Sequence, residues 1–216
     1  MESPLGMFIV CDGMGGHQFG EVASALAIAA AVEYVREHLT GATDKLALLA
    51  DAAREANKRV IEEGARNRKR KGMGSTLVAM IHDGDRMGVV HVGDSRCYLF
   101  REGRIKRLTR DHSLIEELAG DDPQALAALG GYSNVITRAI GTAPDTQPDA
   151  KYEDIRPGDV FLLCSDGLSG VVKDAEIARV LARVEDLDAC CVELVKLANE
   201  NGGPDNISTV LVRAEA

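Results

Sequence analysis

The apolar positions change period several times along the chain, and each change marks a predicted element. Met7 to Cys11 is a short continuous apolar run and reads as a buried strand. The glycine-rich stretch Gly13 to Gly20 follows, and then Val22, Leu26, Ala29, Val32 and Leu39 fall at helical spacing, with Gly41 just past the end. That predicts a first long helix with this apolar stripe. A second helix follows Thr43 and Asp44, with Leu49, Ala52, Ala53, Ala56 and Val60 on its inner face. The pattern then becomes β-like. Thr76 to Ile81, Gly88 to Val92, Arg96 to Phe100 and Arg104 to Leu108 read as strands, with Asp83-Gly84 and Glu102-Gly103 at hairpin turns. From Asp111 to Gly141 the pattern degrades into short helical pieces between Gly- and Asp-rich breaks, which predicts a mobile excursion over the sheet. Such loops often carry function. Val160 to Cys164 is a continuous apolar strand. Ile177, Val180, Leu181 and Val184 define one helix, and Leu187, Cys191, Leu194 and Ala198 another. Asn201-Gly202-Gly203-Pro204 stops the last helix, and Ile207 to Val212 is a final strand. Strands and helices come in separate runs without regular βαβ alternation, so the fold class is α+β.

Length and composition narrow the picture. The 216 residues suit one domain over 1–216, with an inserted lobe at the excursion around 111–142. Apolar residues at 45% and charged ones at 27% exclude a disordered, collagen-like or coiled-coil chain. Aromatics at 4%, with no Trp, leave the core to Ala, Val, Leu and Ile, and disfavour a site that stacks bases or sugars. Subtracting 34 acidic from 25 basic residues gives −9, a field that disfavours nucleic acid as a partner. The one basic run, Arg66, Arg68, Lys69, Arg70 and Lys71, reads as a solvated helix end and loop. No apolar run is long enough to span a bilayer and no leader pattern is visible, so a cytoplasmic location is the expectation. The five cysteines, Cys11, Cys97, Cys164, Cys190 and Cys191, lack Cys-x-x-Cys spacing and read as reduced core residues.

The chemistry lies in aspartates at strand ends. Asp12 follows Phe8-Ile9-Val10-Cys11, Asp94 follows Val89 to Gly93, Asp166 follows Phe161 to Ser165, and Asp205 precedes Ile207 to Val212. A strand that ends in a carboxylate holds it rigidly at the sheet's end, and several such strands side by side converge their aspartates on one point. Clustered carboxylates raise one another's proton affinity, so a cluster at neutral pH calls for cations, and oxygen-only ligands favour Mg²⁺ or Mn²⁺ over zinc. Asp-Gly is also a plain turn signal, and for Asp83 that reading stands. Asp12-Gly13-Met14-Gly15-Gly16-His17 sets three glycines beside a carboxylate, which lets backbone carbonyls approach a cation or phosphate. Neither the Rossmann nor the P-loop glycine spacing follows this strand, so a nucleotide pocket is disfavoured.

Taken in order, Asp12-Gly13-Met14-Gly15-Gly16-His17, Gly74-Ser75-Thr76, Val92-Gly93-Asp94-Ser95-Arg96, Ser165-Asp166-Gly167-Leu168 and Gly203-Pro204-Asp205-Asn206 resemble the metal-dependent serine/threonine protein phosphatases of type 2C, bacterial form. The resemblance runs from Met7 to Val212. It implies two antiparallel sheets packed as a sandwich and flanked by helix pairs, with two Mn²⁺ or Mg²⁺ ions at one end. In that picture Asp12 bridges both ions, the Gly13 carbonyl binds the second, Asp166 and Asp205 bind the first, and Asp94 with Asp166 forms a more labile third site. The implied reaction is hydrolysis of phosphoserine and phosphothreonine by a metal-activated water, Asp12, Asp166 and Asp205 acting through that water, with ions about 3.5–4 Å apart. The implied partners are phosphorylated proteins and a cognate serine/threonine kinase. No Cys-x5-Arg stretch of the cysteine-phosphatase kind is present.

The chain also departs from that pattern. Family members begin with further strands ahead of the Asp-Gly motif, carrying an arginine that grips phosphate and an acidic residue that holds a metal-bound water. Here eleven residues precede Asp12, and Met1 to Gly6 contain Glu2 but no arginine. Three readings follow: an internal start within a longer product, a natural short form with weakened activity, or a non-catalytic regulator that binds phosphoproteins. Each expects exposed sheet edges, with low stability or self-association. A histidine proposed as general acid in some relatives is replaced by Met14. His17 reads as structural, with proton transfer as the functional alternative; Arg138 reads as packing or surface pairing, with substrate contact as the alternative. Asn206 is a further candidate to support metal or substrate, and His112 reads as a solvated loop residue.

Overall fold

The computed structural model describes residues 5–15, 17–66, 70, 72–119 and 135–215. Two four-stranded antiparallel sheets form its centre. The first runs β1 (Met7–Val10), β4 (Leu77–Asp83), β5 (Arg86–Val92), β8 (Asp149–Asp154); the second runs β10 (Thr209–Arg213), β9 (Val160–Cys164), β6 (Arg96–Arg101), β7 (Arg104–Arg107). A two-residue pair, β2 (Gly13–Met14) with β3 (Gly74–Ser75), sits where β1 leads into α1 (His17–His38). The other α-helices among the described residues are α2 (Lys45–Arg66), α3 (Leu114–Ala119), the single turn α4 (Asp166–Ser169), α5 (Asp174–Arg183) and α6 (Leu187–Glu200).

Alternation along the central strands builds four layers. Leu77, Ala79 and Ile81 of β4 turn outward to α1 and α2, while Val78 and Met80 turn inward to meet Cys97, Leu99, Phe161 and Leu163 of the second sheet. On β9 the parity is the same: Phe161 and Leu163 face inward, and Val160, Leu162 and Cys164 pack against Ile177, Leu181 and Leu194 of α5 and α6. Both faces of each central strand are covered, which is why those strands read as unbroken apolar runs. The order helix pair, sheet, sheet, helix pair is the α+β sandwich expected. The β4–β5 hairpin closes at Asp83 opposite Arg86, and β6–β7 closes at Arg101 opposite Arg104. In the second, Glu102 and Gly103 both have positive φ, 51° and 76°, the backbone of a primed two-residue turn.

Two expectations need correction, and one strand carries no apolar signal in the sequence. The inner face of α1 is Ala23, Ala27, Ala30, Ala31 and Val35, all buried, whereas Ala29 is exposed and Val22, Leu26 and Val32 are only half-buried. This helix is apolar on most sides, so periodicity could not choose the face. Contact with Ala52, Ala53 and Ala56 of α2 selects small side chains that let the two helices approach. On α6 the buried cysteine is Cys190, and Cys191 is half-exposed. Strand β8, Asp-Ala-Lys-Tyr-Glu-Asp, went unread because an exposed edge strand need not be apolar; it pairs with β5 from Arg86↔Asp154 to His91↔Asp149.

The opposite edges, β1 and β10, lie beside each other and carry half-buried Phe8, Ile9, Val210, Leu211 and Val212. A cavity of about 520 Å³ opens between them, lined in part by Phe8, Met87, Phe161 and Val212. No helix among the described residues is long and apolar enough to cross a membrane. Much of the basic run, at 67–69 and 71, lies outside the described residues, as does 120–134 of the excursion. Arg66 and Arg70 both pair with Glu63.

Candidate metal centre

Asp12 leaves β1 on a backbone that is bonded on both sides. Its N–H donates to Thr76 Oγ1 at 2.9 Å, and its carbonyl accepts from Thr76 N–H at 2.7 Å and from the Ser75 hydroxyl at 2.9 Å. These bonds consume the main chain of Asp12 and leave its carboxylate for another partner. The Gly74-Ser75-Thr76 motif therefore serves as a clamp on Asp12. Beyond it, β2 touches the first turn of α1 so closely that a Cβ on Gly13 would lie 2.0 Å from the Gly20 carbonyl oxygen.

Asp166 is brought up from the other sheet. It is the first residue of α4, after N-cap Ser165, and the Asp205-Asn206 loop passes over it so tightly that a Cβ on Gly167 would stand 2.1 Å from Asn206 O. Ser165 fastens that loop: its hydroxyl donates to Asn206 O at 3.2 Å and accepts from Ser208 N–H at 3.1 Å. Asn206 N–H in turn donates to Asp205 Oδ1 at 2.7 Å. Asp94 occupies the turn between β5 and β6, where Ser95 Oγ lies 2.6 Å from Thr76 Oγ1. Arg96, two residues on, commits its guanidinium to a bidentate pair with Asp111 (Nε–Oδ1 3.0 Å, Nη2–Oδ2 2.6 Å) and offsets the charge of Asp94 only in part.

The convergence shows in the proton affinities. Burial pushes Asp12 up to about 7, helped by the charge of Asp166 and then those of Asp205 and Asp94. Burial likewise lifts Asp94 to about 6, with Asp166 and Asp111 adding to it. Asp166 Oδ1 is buried with no hydrogen-bond partner among the described residues. Beside the cluster opens a cavity of about 380 Å³, lined by Asp12, Gly13, Glu21, Asp205, Asn206 and Ser208 among others, and none of the described residues that line it is cationic. An orphaned carboxylate oxygen, like charges crowded against one another and an oxygen-only donor set together fit hard divalent cations.

The remaining candidates fall elsewhere. His17 opens α1, and its side chain lies outside the described residues. Arg138 donates to Asp149 Oδ1 at 2.8 Å and to Gln147 O at 3.3 Å, which is surface pairing. His112 is not solvated: it is 2% exposed and its ring stacks on His91 with centroids 4.6 Å apart. The flanking Asp111 and Ser113 misled the reading; both are buried, Asp111 by Arg96 and Ser113 by its bridge to Ile136. Burial, with His91 and Arg138 beside it, pushes His112 down to about 4. The paired histidines escaped sequence reasoning because His91 lies inside a strand and meets its partner only through the tertiary fold. All five cysteines are free thiols, and burial raises Cys164 to about 12.

Residues 3–211 match the family model described as Protein phosphatase 2C. The serine/threonine protein phosphatase PstP of Mycobacterium tuberculosis is 36% identical over 209 residues, covering 95% of this chain; the chain spans 40% of that relative's length. A crystal structure of the M. tuberculosis serine/threonine phosphatase PstP/Ppp superimposes with a TM-score of 0.88 at 34% identity, covering 97% of this chain and 88% of that one. The PstP catalytic domain solved in complex with two manganese ions gives 0.83 at 36% identity, with 95% and 85% covered. With the clamp on Asp12, the overpass on Asp166 and a match along nearly its whole length, this chain belongs to the protein phosphatase 2C family.

Proposed function

We propose that this chain is a metal-dependent phosphatase that hydrolyses phosphoserine and phosphothreonine in proteins, opposing a serine/threonine kinase of the same cell. The observation that carries the reading is the convergence of Asp94, Asp166 and Asp205 on Asp12, with Asp166 Oδ1 unpartnered among the described residues. Asp12, the Gly13 carbonyl, Asp166 and Asp205 would hold two Mn²⁺ or Mg²⁺ ions, and Asp94 with Asp166 a third. Such ions neutralise the phosphate charge and make a water nucleophilic at neutral pH.

The chain's own residues prepare that chemistry. Ser75 and Thr76 immobilise Asp12, so its carboxylate is aimed without a rearrangement at the moment of binding. Ser165 does the same for the Asp205 loop through Asn206 and Ser208. The cavity is open enough to admit a phosphorylated side chain, and since none of the described residues that line it is cationic, attraction for the phosphate falls to the ions. Relatives named as serine/threonine phosphatases, one of them solved with two manganese ions, support the same reading.

The test is hydrolysis of para-nitrophenyl phosphate and of a phosphothreonine peptide with Mn²⁺, Mg²⁺ or EDTA, beside Asp166→Asn. The expected result is turnover that needs metal and falls to background in the variant with the fold unchanged. Near-wild-type activity in Asp166→Asn, or turnover in EDTA, would overturn the mechanism. Metal binding and phosphopeptide affinity without turnover would establish a non-catalytic phosphoprotein-binding regulator instead.

A further inference from the structure

The second cluster of titratable side chains among the described residues is His91, His112 and Asp149, whose donor atoms lie within 4.8 Å of one another. At first sight this is a site for a transition metal. The hydrogen bonds decide against it. Gly93 N–H donates to His112 Nδ1 at 3.1 Å, so that nitrogen carries the lone pair and the proton of the neutral ring sits on Nε2. His112 Nε2 is therefore a donor. It points toward Asp149 Oδ1 at 3.5 Å, without the alignment of a hydrogen bond. His91 Nε2 likewise donates to Arg110 O at 2.7 Å. The cluster is a set of oriented dipoles and not a cation cage.

What the ring touches gives its use. His112 and Gly93 are joined twice, through His112 N–H to Gly93 O at 3.0 Å and through Gly93 N–H to the ring. Gly93 immediately precedes Asp94, and Ser95 on the other side holds Thr76, the clamp of Asp12. In the opposite direction, His112 O accepts from Thr137 N–H at 2.8 Å, beside the Ser113–Ile136 bridge that closes the base of the 111–142 segment. Asp149, which faces the ring, is itself fixed by Arg138. One buried side chain thus links the base of that segment to the turn that carries Asp94.

We propose that His112 is a positioning residue: held as its Nε2–H tautomer, it pins the Gly93–Asp94 turn to the base of the 111–142 segment and so sets where the Asp94 carboxylate stands relative to Asp166. The inference rests on the reading of the aspartates as a cation site. It assigns the ring two separable jobs, an acceptor at Nδ1 for Gly93 and a donor at Nε2 toward Asp149, and it is the first that positions Asp94. Asparagine places its Oδ1 close to where Nδ1 stands and can keep that acceptor. Glutamine reaches toward the Nε2 position and loses it.

The experiment measures Mn²⁺ binding by titration calorimetry, without substrate, on the full chain and on His112→Asn and His112→Gln, with circular dichroism to confirm folding. His112→Gln is expected to weaken about tenfold the binding of the weakest ion, the one that Asp94 would hold with Asp166, the scale seen when a group that orients a metal ligand is removed, while His112→Asn stays within about twofold of the parent. Nitrogen-15 spectra of the unmodified chain should show His112 as the Nε2–H tautomer at neutral pH. An Nδ1–H tautomer would overturn the proposal, as would equal Mn²⁺ affinity in His112→Gln and the parent. Zinc binding lost in Asp149→Asn would overturn it in favour of a second metal site. Because binding is read without turnover, a chain that holds Mn²⁺ through His112 yet hydrolyses nothing would sink the phosphatase reading and not this one.

Discussion

Two groups of titratable side chains flank the end of β5, and their demands are met differently. The histidines are answered mostly from inside the protein: Gly93 N–H meets one ring and Arg110 O the other, and His112 Nε2, which makes no hydrogen bond among the described residues, still stands 3.5 Å from the Asp149 carboxylate. The aspartates are not. The Asp12 backbone is bonded on both sides, but its carboxylate feels the charges of the other three, and Asp166 Oδ1 has no partner among the described residues. A buried group whose charge or dipole is met locally is part of the scaffold, whereas one held rigidly and left unmet is prepared for something from outside. The same physics, burial in low dielectric, drives Asp12 up and His112 down.

The comparison predicts its largest effect on metal binding. Saturating Mn²⁺ near neutral pH should raise the melting temperature of the chain by about 5–10 °C, as expected when ligand stands about a hundredfold above its dissociation constant. Asp166→Asn should lose most of that shift in a thermal melt, and Asp149→Asn should retain it. A shift lost equally in both would erase the distinction between the two groups. Next in size is the clamp. Thr76→Val removes the acceptor of Asp12 N–H and should cost about 1–3 kcal/mol in urea denaturation, as for an orphaned buried donor. Unchanged stability there would mean that water replaces the hydroxyl.

The smallest expected effect is a pair of opposed pH slopes in EDTA. Asp12 binds its proton more tightly folded than unfolded, so its contribution is present below about pH 4 and is lost as pH rises through about 7. His112 is the reverse: its folded value lies below the unfolded one near 6.5, so its contribution is present above about 6.5 and is lost as pH falls toward about 4. Both contributions therefore change between about pH 4 and 7 with opposite sign: Asp12→Asn should remove one that falls as pH rises, and His112→Asn one that falls as pH drops. Profiles that remain parallel to the parent would show that these groups do not dominate the linkage.

Much of the architecture was legible because it is written in local patterns. The inner face of α2 at Leu49, Ala52, Ala53, Ala56 and Val60 is the buried one, and the helix opens where Asp44 Oδ1 accepts from Leu46 and Ala47 N–H. The β4–β5 and β6–β7 turns fall at the glycines. What escaped was non-local. The face of α1 was chosen by α2, β8 was recruited by pairing with β5, and the burial of His112 depends on His91, twenty-one positions away in the chain.

By itself the sequence determined that aspartates end its apolar strands and that glycines and hydroxyl residues surround them, because these are relations between near neighbours. It also determined a chain with enough apolar residues to cover two sheets on both faces, as the runs in β4 and β9 require. Only the tertiary structure decided which groups meet. The clamp of Thr76 on Asp12, the passage of Asn206 over Gly167 and the tautomer of His112 each depend on segments brought together from distant parts of the chain. Proton affinity and hydrogen-bond demand are set by burial and by the nearest charges, and neither exists until the layers have packed.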